Sequence, residues 1–517
     1  MLLEYNIAPA RSACQRVIAI LMAIVLSSIV GFAETSEADA LYATRDRLRK
    51  EGFKLDLTEF DFTTTVETRS RMAALTNQGF GGNGELLARL RINLSEPIEM
   101  DSALVVWKEE ELLLNRLNHN RKDSGNMWPG LQNELRVIKV QLDAACAAAF
   151  TGPIRFHSDA GEGFEMLVPH LEALKSLGLA LGKNLLLELH YGHNNEAWTN
   201  LLASTRLVTA WQPESTDVSN IVWFGLAKLA FENLWQALQA QIWTDEQLTH
   251  LQHEWETVRF LTHIPEIQAF TRACMAAVFQ QDRQQPIQSG ITAREAVLDP
   301  GSAWNQAGDY LKRLKYHGHG SFADEEAVLL HYQYREREFK RAIQRKTWLE
   351  MRRLPGVTND LPFQTRYSSA VQSLIESRQA LVRTLSGGPL LAVAAEAESR
   401  RRILLAAIAL ERFHLRERTY PETLRELIPD FLTSPPVDFI DGQPLRYRRT
   451  QHGQFILYSV GLDGVDNGGI LKRRPITLPY PQSNFRTPVQ VESDLVWPRP
   501  AALAEVEAKR IKDQMNR

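Results

Sequence analysis

Apolar positions along the chain fall into three regimes. From Val17 through Ile18, Ile20, Leu21 and Val25 to Ala33 runs an uncharged apolar stretch of 17 residues. From Ala38 to about Ser386 apolar residues recur with helical spacing, and after the next long helix the pattern turns to alternation. The spacing predicts a charged helix over Ala38–Glu51 ended by Gly52, then a less regular stretch over Leu57–Asn93. Within that stretch Gly79-Phe80-Gly81-Gly82-Asn83-Gly84 reads as a flexible loop. Helices are then expected over 99–120, 131–149, 163–190, 194–211, 217–242 and 244–260.

Local chemistry supports several of these boundaries. Thr244-Asp245-Glu246-Gln247 is a capping box, in which the hydroxyl and the side-chain amide satisfy free N–H groups of a first helical turn. Gly192 between two helices, with Ala197 after it, resembles the hairpin of a tetratricopeptide (TPR) unit, although no sustained period of about 34 residues accompanies it. Leu174, Leu177 and Leu181 form an apolar stripe that packs neighbouring helices. Pro286–Ser302 reads as a surface loop, and a helix from about Asp324 to Arg353 follows, ended by Leu354-Pro355-Gly356. That helix is rich in both charge signs, with Glu336 four residues before Lys340, the spacing of a solvated face. Its Arg and Lys content also suits anionic lipid, but the interleaved acids favour the solvated face.

Beyond Pro389 a single long helix is predicted to Arg418, with Ile403, Ala407, Leu410 and Phe413 on one face. Tyr420-Pro421 breaks it, because proline cannot continue the hydrogen-bond ladder. Thr423–Leu432 reads as a short second helix, and Leu445–Arg449 and Gln454–Val460 alternate as two antiparallel strands around Gln451-His452-Gly453. The fold class is therefore mainly α: a multi-helix body at 36–386 with TPR-like αα-hairpins, plus a small C-terminal α+β module at 389–500. The module combines a long spine helix with a short antiparallel sheet, and a charged, helical tail at 501–517 completes the chain.

The first 35 residues carry the compartment signal. Arg11 and Arg16 precede the apolar run, and Gly31-Phe32-Ala33 before Glu34 supplies the small residues of a signal-peptidase site. At 17 residues the run also reaches the short limit for spanning a bilayer. A retained signal-anchor is favoured over a cleaved signal peptide, even though Arg45, Arg47, Arg49 and Lys50 on the far side weaken the positive-inside argument. Both readings export the remainder. Gly31-Phe32 superficially resembles a prepilin cleavage site, but here the apolar helix precedes the site instead of following it.

Bulk properties narrow the function classes. A length of 517 residues calls for more than one core. With 59 Lys and Arg against 62 Asp and Glu, the net charge of -3 provides no global field to gather nucleic acid. Cys14, Cys146 and Cys274 form no spaced pair, which argues against a zinc ribbon and a disulfide scaffold. If the chain is exported, Cys146 and Cys274 are the pair available to bridge.

Catalytic chemistry finds no foothold. His250 and His253 share a helical face beside Glu254 and Glu256, but match neither zinc-protease spacing and lack a third ligand. His190-Tyr191-Gly192-His193 and His317-Gly318-His319 read as helix-terminating turns. The chain contains no nucleophile elbow, Walker A loop or dinucleotide-binding turn. The expectation is a non-enzymatic protein with no catalytic residue.

One ordered string points somewhere specific. After the long helix come Tyr420-Pro421-Glu422-Thr423-Leu424, Pro436-Val437-Asp438, Gly442-Gln443-Pro444-Leu445-Arg446-Tyr447 and Ser459-Val460-Gly461-Leu462-Asp463-Gly464, with Gly468-Gly469 closing it. This order resembles the globular part of the type II secretion major pseudopilins over about 390–470, extending toward Trp497. The whole chain resembles bacterial envelope proteins that place an N-terminal apolar segment and a helical middle before this ending. The resemblance implies a calcium-binding final loop. Asp463 matches the family's first acidic position, Asp466 offers a neighbouring carboxylate, and Asp494 stands for an acidic end displaced by the basic insertion at Leu471-Lys472-Arg473-Arg474. Asp463 and Asp494 are therefore expected to converge on one loop.

In the pseudopilins the spine helix continues into the membrane, whereas here the apolar segment lies far upstream. Assembly into a filament by that route is not expected. The module reads as a folded head reused for docking or capping, with envelope or secretion-system proteins as partners, the membrane contacted through the N-terminal segment, and no nucleic acid. The expected location is the inner membrane with an exported body, or the periplasm after cleavage. A periplasmic hydrolase with a scattered site and a peptide- or glycan-binding helical module are the alternatives.

Overall fold

Helix succeeds helix through most of the chain because apolar residues return every three or four positions and local caps close the ends. The computed structural model describes residues 36–81, 97–112, 126–284, 320–355, 357, 388–450, 453–471 and 494–515. In chain order the helices are α1 (36–50), α2 (Val66–Leu75), α3 (Trp128–Val137), α4 (Lys139–Phe150), α5 (His170–Tyr191), α6 (Asn194–Thr209) and α7 (Asp217–Leu238). They continue with α8 (Asp245–Thr257), α9 (Ile264–Gln284), α10 (Ser321–Ile343), the single turn α11 (Trp348–Met351), α12 (Gly388–Glu417) and α13 (Leu503–Met515). The strands are β1 (Ser102–Ala103), β2 (Arg446–Arg449), β3 (Phe455–Ser459), β4 (Leu495–Trp497) and β5 (Arg499–Pro500). The described protein is thus mainly helical, with a small three-stranded antiparallel sheet in the order β2-β3-β4 and a short parallel pairing of β1 with β5.

The chain divides into two compact units. Among the described residues, the first gathers 36–60, 268–284 and 320–336, and the second gathers the rest. In the first unit, Gly52 ends α1 at φ 83°, and the backbone N–H groups of Gly52 and Phe53 donate to the carbonyls of Arg49 and Leu48. Leu41, Leu48, Phe53, Leu55, Ala276 and Leu329 form its small core. Several charged groups are buried beside it as pairs. Glu325, fully buried, accepts from Arg45 at 2.5 Å and from Arg283, and Arg272 donates to Glu336 at 2.7 Å and to the Lys54 carbonyl. Removing one partner from such a pair leaves an uncompensated charge, so these contacts fix the packing more than they stabilise it.

The second unit is built around α7. Thr216 caps its first turn, and its residues from Trp223 to Leu238 are buried nearly throughout. Helix α5 approaches it closely through Gly182, where a Cβ would meet the Asn233 side chain at 2.7 Å. Gly192 at φ 75° closes α5, and α6 returns along it after the two-residue link Gly192-His193. Helix α12 lies against α7, α8, β3 and β4. All residues of β3 are buried between its neighbours, with Arg446 opposite Tyr458 and Leu457 opposite Trp497.

The structure departs from the sequence expectations at identifiable places. The stretch 99–112 holds no α-helix, only a 3-10 turn at Val106–Lys108; Ser102-Ala103 pairs with Arg499-Pro500, and the Val106 N–H donates to the Gln236 side chain. The helix expected over 131–149 is two helices separated at Ile138. The charged helix expected to reach Arg353 stops at Ile343, and α11 forms separately after Thr347 caps it. Thr423–Leu432 holds only a 3-10 turn at Leu424–Leu427, and Ile428-Pro429 is a cis peptide. A third strand, β4, joins the two expected ones. The boundary expected between a body at 36–386 and a module from 389 does not coincide with the division into units, because α12 and the sheet share a core with α7 and α8. The segments 1–35 and 286–302, with His317, His319 and the basic insertion at 472–474, lie outside the described residues. Among the described residues no helix is long and apolar enough to cross a membrane.

Candidate functional site

The acidic C-terminal loop begins from a buried carboxylate. Asp438, completely buried, ends the extended Pro436-Val437 segment. Its Oδ1 accepts from Ser459 Oγ at 2.6 Å and from the Ile440 N–H at 2.8 Å, and its Oδ2 from the Val460 N–H at 3.0 Å. Arg446 Nη1 on β2 adds a fourth donor at 2.9 Å. Burial pushes Asp438 above the ordinary carboxylate range, and the hydrogen bonds from Ser459, Ile440 and Val460 oppose that push.

Arg446 gathers the other acids. Strand pairing sets it opposite Tyr458, and its guanidinium reaches Asp441 Oδ2 at 2.5 Å and Asp466 Oδ2 at 3.3 Å. Asp441 is held below the usual range, since the bonds from Arg446 and from the Gln443 N–H outweigh its burial. Arg446 is pushed up, first by its bond to Asp441. Tyr458 donates its hydroxyl to Asp466 Oδ1 at 3.1 Å, and burial followed by the Asp466 charge pushes its pKa above the ordinary phenol value. One cation therefore ties together acids from the 438–441 turn and from the final loop.

The final loop is pinned a second time from farther along the chain. Asp494 sits immediately before β4, buried to 5% exposure, and accepts the Asn467 N–H at 3.1 Å and the Gly469 N–H at 2.7 Å. Gly469 has φ 74°, and a Cβ there would lie 2.8 Å from the Tyr458 ring, so glycine is required on both counts. Asp463 Oδ1 accepts the Val465 N–H at 3.1 Å, and Arg352 donates to the Leu462 and Asp463 carbonyls.

The structure thus brings Asp494 onto the loop that carries Asp463 and Asp466, but each carboxylate meets N–H donors. Asp463 closes a local turn, Asp466 accepts from Arg446, Tyr458 and Gly468, and Asp494 accepts from Asn467 and Gly469. Among the described residues no group of three or more His, Cys, Asp or Glu side chains is disposed to hold a metal ion. Calcium requires several converging oxygens; at these three residues it would have to displace the donors they now accept. Arg446 stands in the sequence string without an assigned role, and Asp441 and Tyr458 lie just beside its pieces. The available signal was one arginine placed among four nearby aspartates, and only strand pairing reveals what it reaches.

Other titratable clusters are found elsewhere among the described residues. Glu411 on α12 is buried, accepts the Tyr420 hydroxyl at 2.9 Å and is pushed up to about 8 by burial; Tyr420 in turn stacks on His414 at 4.4 Å. His170 and Glu214 are buried in contact at 3.1 Å, with Phe156 stacked on the imidazole. His250 Nε2 lies 3.7 Å from Glu254, which Arg206 and Thr209 already engage. His190 stacks on Trp128, and His193 bonds Glu188 at 2.6 Å. Cys146 and Cys274 are both buried, and burial pushes the Cys146 thiol up to about 12.

Compared with protein-family models, curated proteins and solved structures, the chain matches none.

Proposed function

We propose that this is an exported envelope protein, attached to the inner membrane through its N-terminal apolar segment, that acts by docking instead of by catalysis. Its helical body, with a TPR-like hairpin at α5–α6, presents a pseudopilin-like C-terminal module built from α12, the β2-β3-β4 sheet and the acidic loop. Envelope or secretion-system proteins are the partners this reading names.

The observation that carries the reading is the double pinning of the 461–469 loop, by Arg446 from one side and Asp494 from the other. A loop held by two such contacts over 466–469 keeps a fixed shape there, and pre-organisation lowers the entropy cost of binding a partner.

Affinity purification of the tagged full-length protein from detergent-solubilised membranes tests the reading. Recovery of secretion-pore components, reduced when Asp494 is replaced by Asn, is the expected result. Their reproducible absence from the wild-type eluate would remove the secretion role.

A further inference from the structure

The sequence of α10 interleaves acids and bases, and the fold sorts them. Glu336 and Glu338 are each 4% exposed, taking Arg272 and Arg341 as partners at 2.7 and 2.6 Å. In contrast, Arg337, Lys340, Arg345, Lys346 and Arg353 are exposed, and Arg341 keeps 58% of its side chain exposed while bonded to Glu338. The exposed acid within 337–353 is Glu350, whose Oε2 accepts the Lys346 N–H at 3.1 Å. Of the acids on the C-terminal loop, Asp441 and Asp466 are engaged by Arg446.

Helix electrostatics explain only part of this face. Lys340 and Arg341 stand in the last turn of α10, where the carbonyl end favours positive charge. Arg345, Lys346 and Arg353 lie past that end, so the helix dipole does not account for them. No aromatic ring is exposed among these cations, since Phe339 is 0% and Trp348 6% exposed. Single-stranded nucleic acid relies on such stacking faces and is poorly matched.

We propose that the cationic face over 337–353 docks on an anionic bilayer surface, recognising the phosphate of anionic phospholipid headgroups. Long, mobile Lys and Arg ends spread over successive turns suit a planar array of phosphates better than a single enclosed ligand. Each such residue near an anionic membrane adds roughly fivefold to affinity, and salt screens the effect. The proposal rests on the membrane-associated reading above and adds a second point of attachment to it.

Flotation of the full-length protein with vesicles provides the test. One set contains phosphatidylcholine alone, the other phosphatidylcholine with phosphatidylglycerol, each at low and high salt. The expected result is preference for the anionic vesicles that fades with salt. It should weaken on the order of 100-fold in the variant R345E/K346E/R353E, with an unchanged melting temperature because these side chains are exposed. Equal binding to both vesicle kinds overturns this docking site and leaves the N-terminal attachment intact, whereas binding to neither overturns both. A preference retained by the variant also overturns the proposal. Equal vesicle binding together with salt-sensitive retention of wild type, and not the variant, on an RNA column would assign the face to nucleic acid instead.

Discussion

Glu411 carries the most testable single-residue chemistry in the second unit. It is 8% exposed on α12, keeps its proton up to about 8 because burial disfavours the carboxylate, and accepts the Tyr420 hydroxyl. In the unfolded chain the same group loses its proton near 4.5, so between these values the folded state holds more protons. The Glu411 contribution is fully present below the lower value and is lost as pH rises through the upper one. Replacing Glu411 by Gln should remove this slope and stabilise the protein at pH 8 by on the order of 2 kcal/mol. Melting curves of both proteins from pH 5 to about 9 check it, and parallel curves would show that Glu411 titrates normally. Arg446 makes the complementary case. Arg446→Met strips the buried Asp438 of its cation and should cost about 3 kcal/mol, whereas the double variant with Asp438→Asn should recover most of that loss. Chemical denaturation of the two variants distinguishes these outcomes, and equal destabilisation of both would deny the pair its coupling.

At the scale of elements, the legible parts were those whose signal is local. The Thr244–Gln247 capping box starts α8, Gly192 closes α5, and the alternation over 446–449 and 455–459 forms the paired strands β2 and β3. What stayed hidden depends on partners distant in sequence. Ala103 and Val105 fit a helical count, yet the Ala103 position pairs with Pro500 and Val105 is buried beside it in an extended segment. Likewise, Leu495–Trp497 shows nothing of a strand until β3 lies next to it. Asp494 was expected to converge with Asp463, and the contacts it makes on that loop are with the Asn467 and Gly469 N–H groups; Arg446 as the hub of the loop was not expected. Asp494→Asn keeps the volume and turns one acceptor into a donor facing the Asn467 and Gly469 N–H groups. It should cost about 1–3 kcal/mol and increase hydrogen exchange at those two amides. The same construction bears on calcium. With Arg446 and backbone donors already on the carboxylates, addition of calcium or of a chelator should leave the melting temperature unchanged. A rise with calcium alone would establish an ion at Asp463, Asp466 or Asp494, because a ligand bound only by the native state must stabilise it.

For the whole molecule, the compact units and the segment 389–500 divide the chain differently. The C-terminal α12 and sheet share their core with α7 and α8 through residues such as Trp255, Leu404 and Leu457. A fragment starting at 389 would therefore expose the face of α12 that α7 and α8 cover, and is expected to be insoluble when expressed alone. The function proposed above rests, at this scale, on export. Both the docking reading and the lipid-binding face assume that the helical body lies outside the cytoplasm and stays attached to the inner membrane. Protease treatment of intact spheroplasts expressing the full chain with a C-terminal tag measures this directly. The account predicts that the tag sediments with the inner membrane and is digested without lysis. A tag protected until the membrane is broken would contradict it.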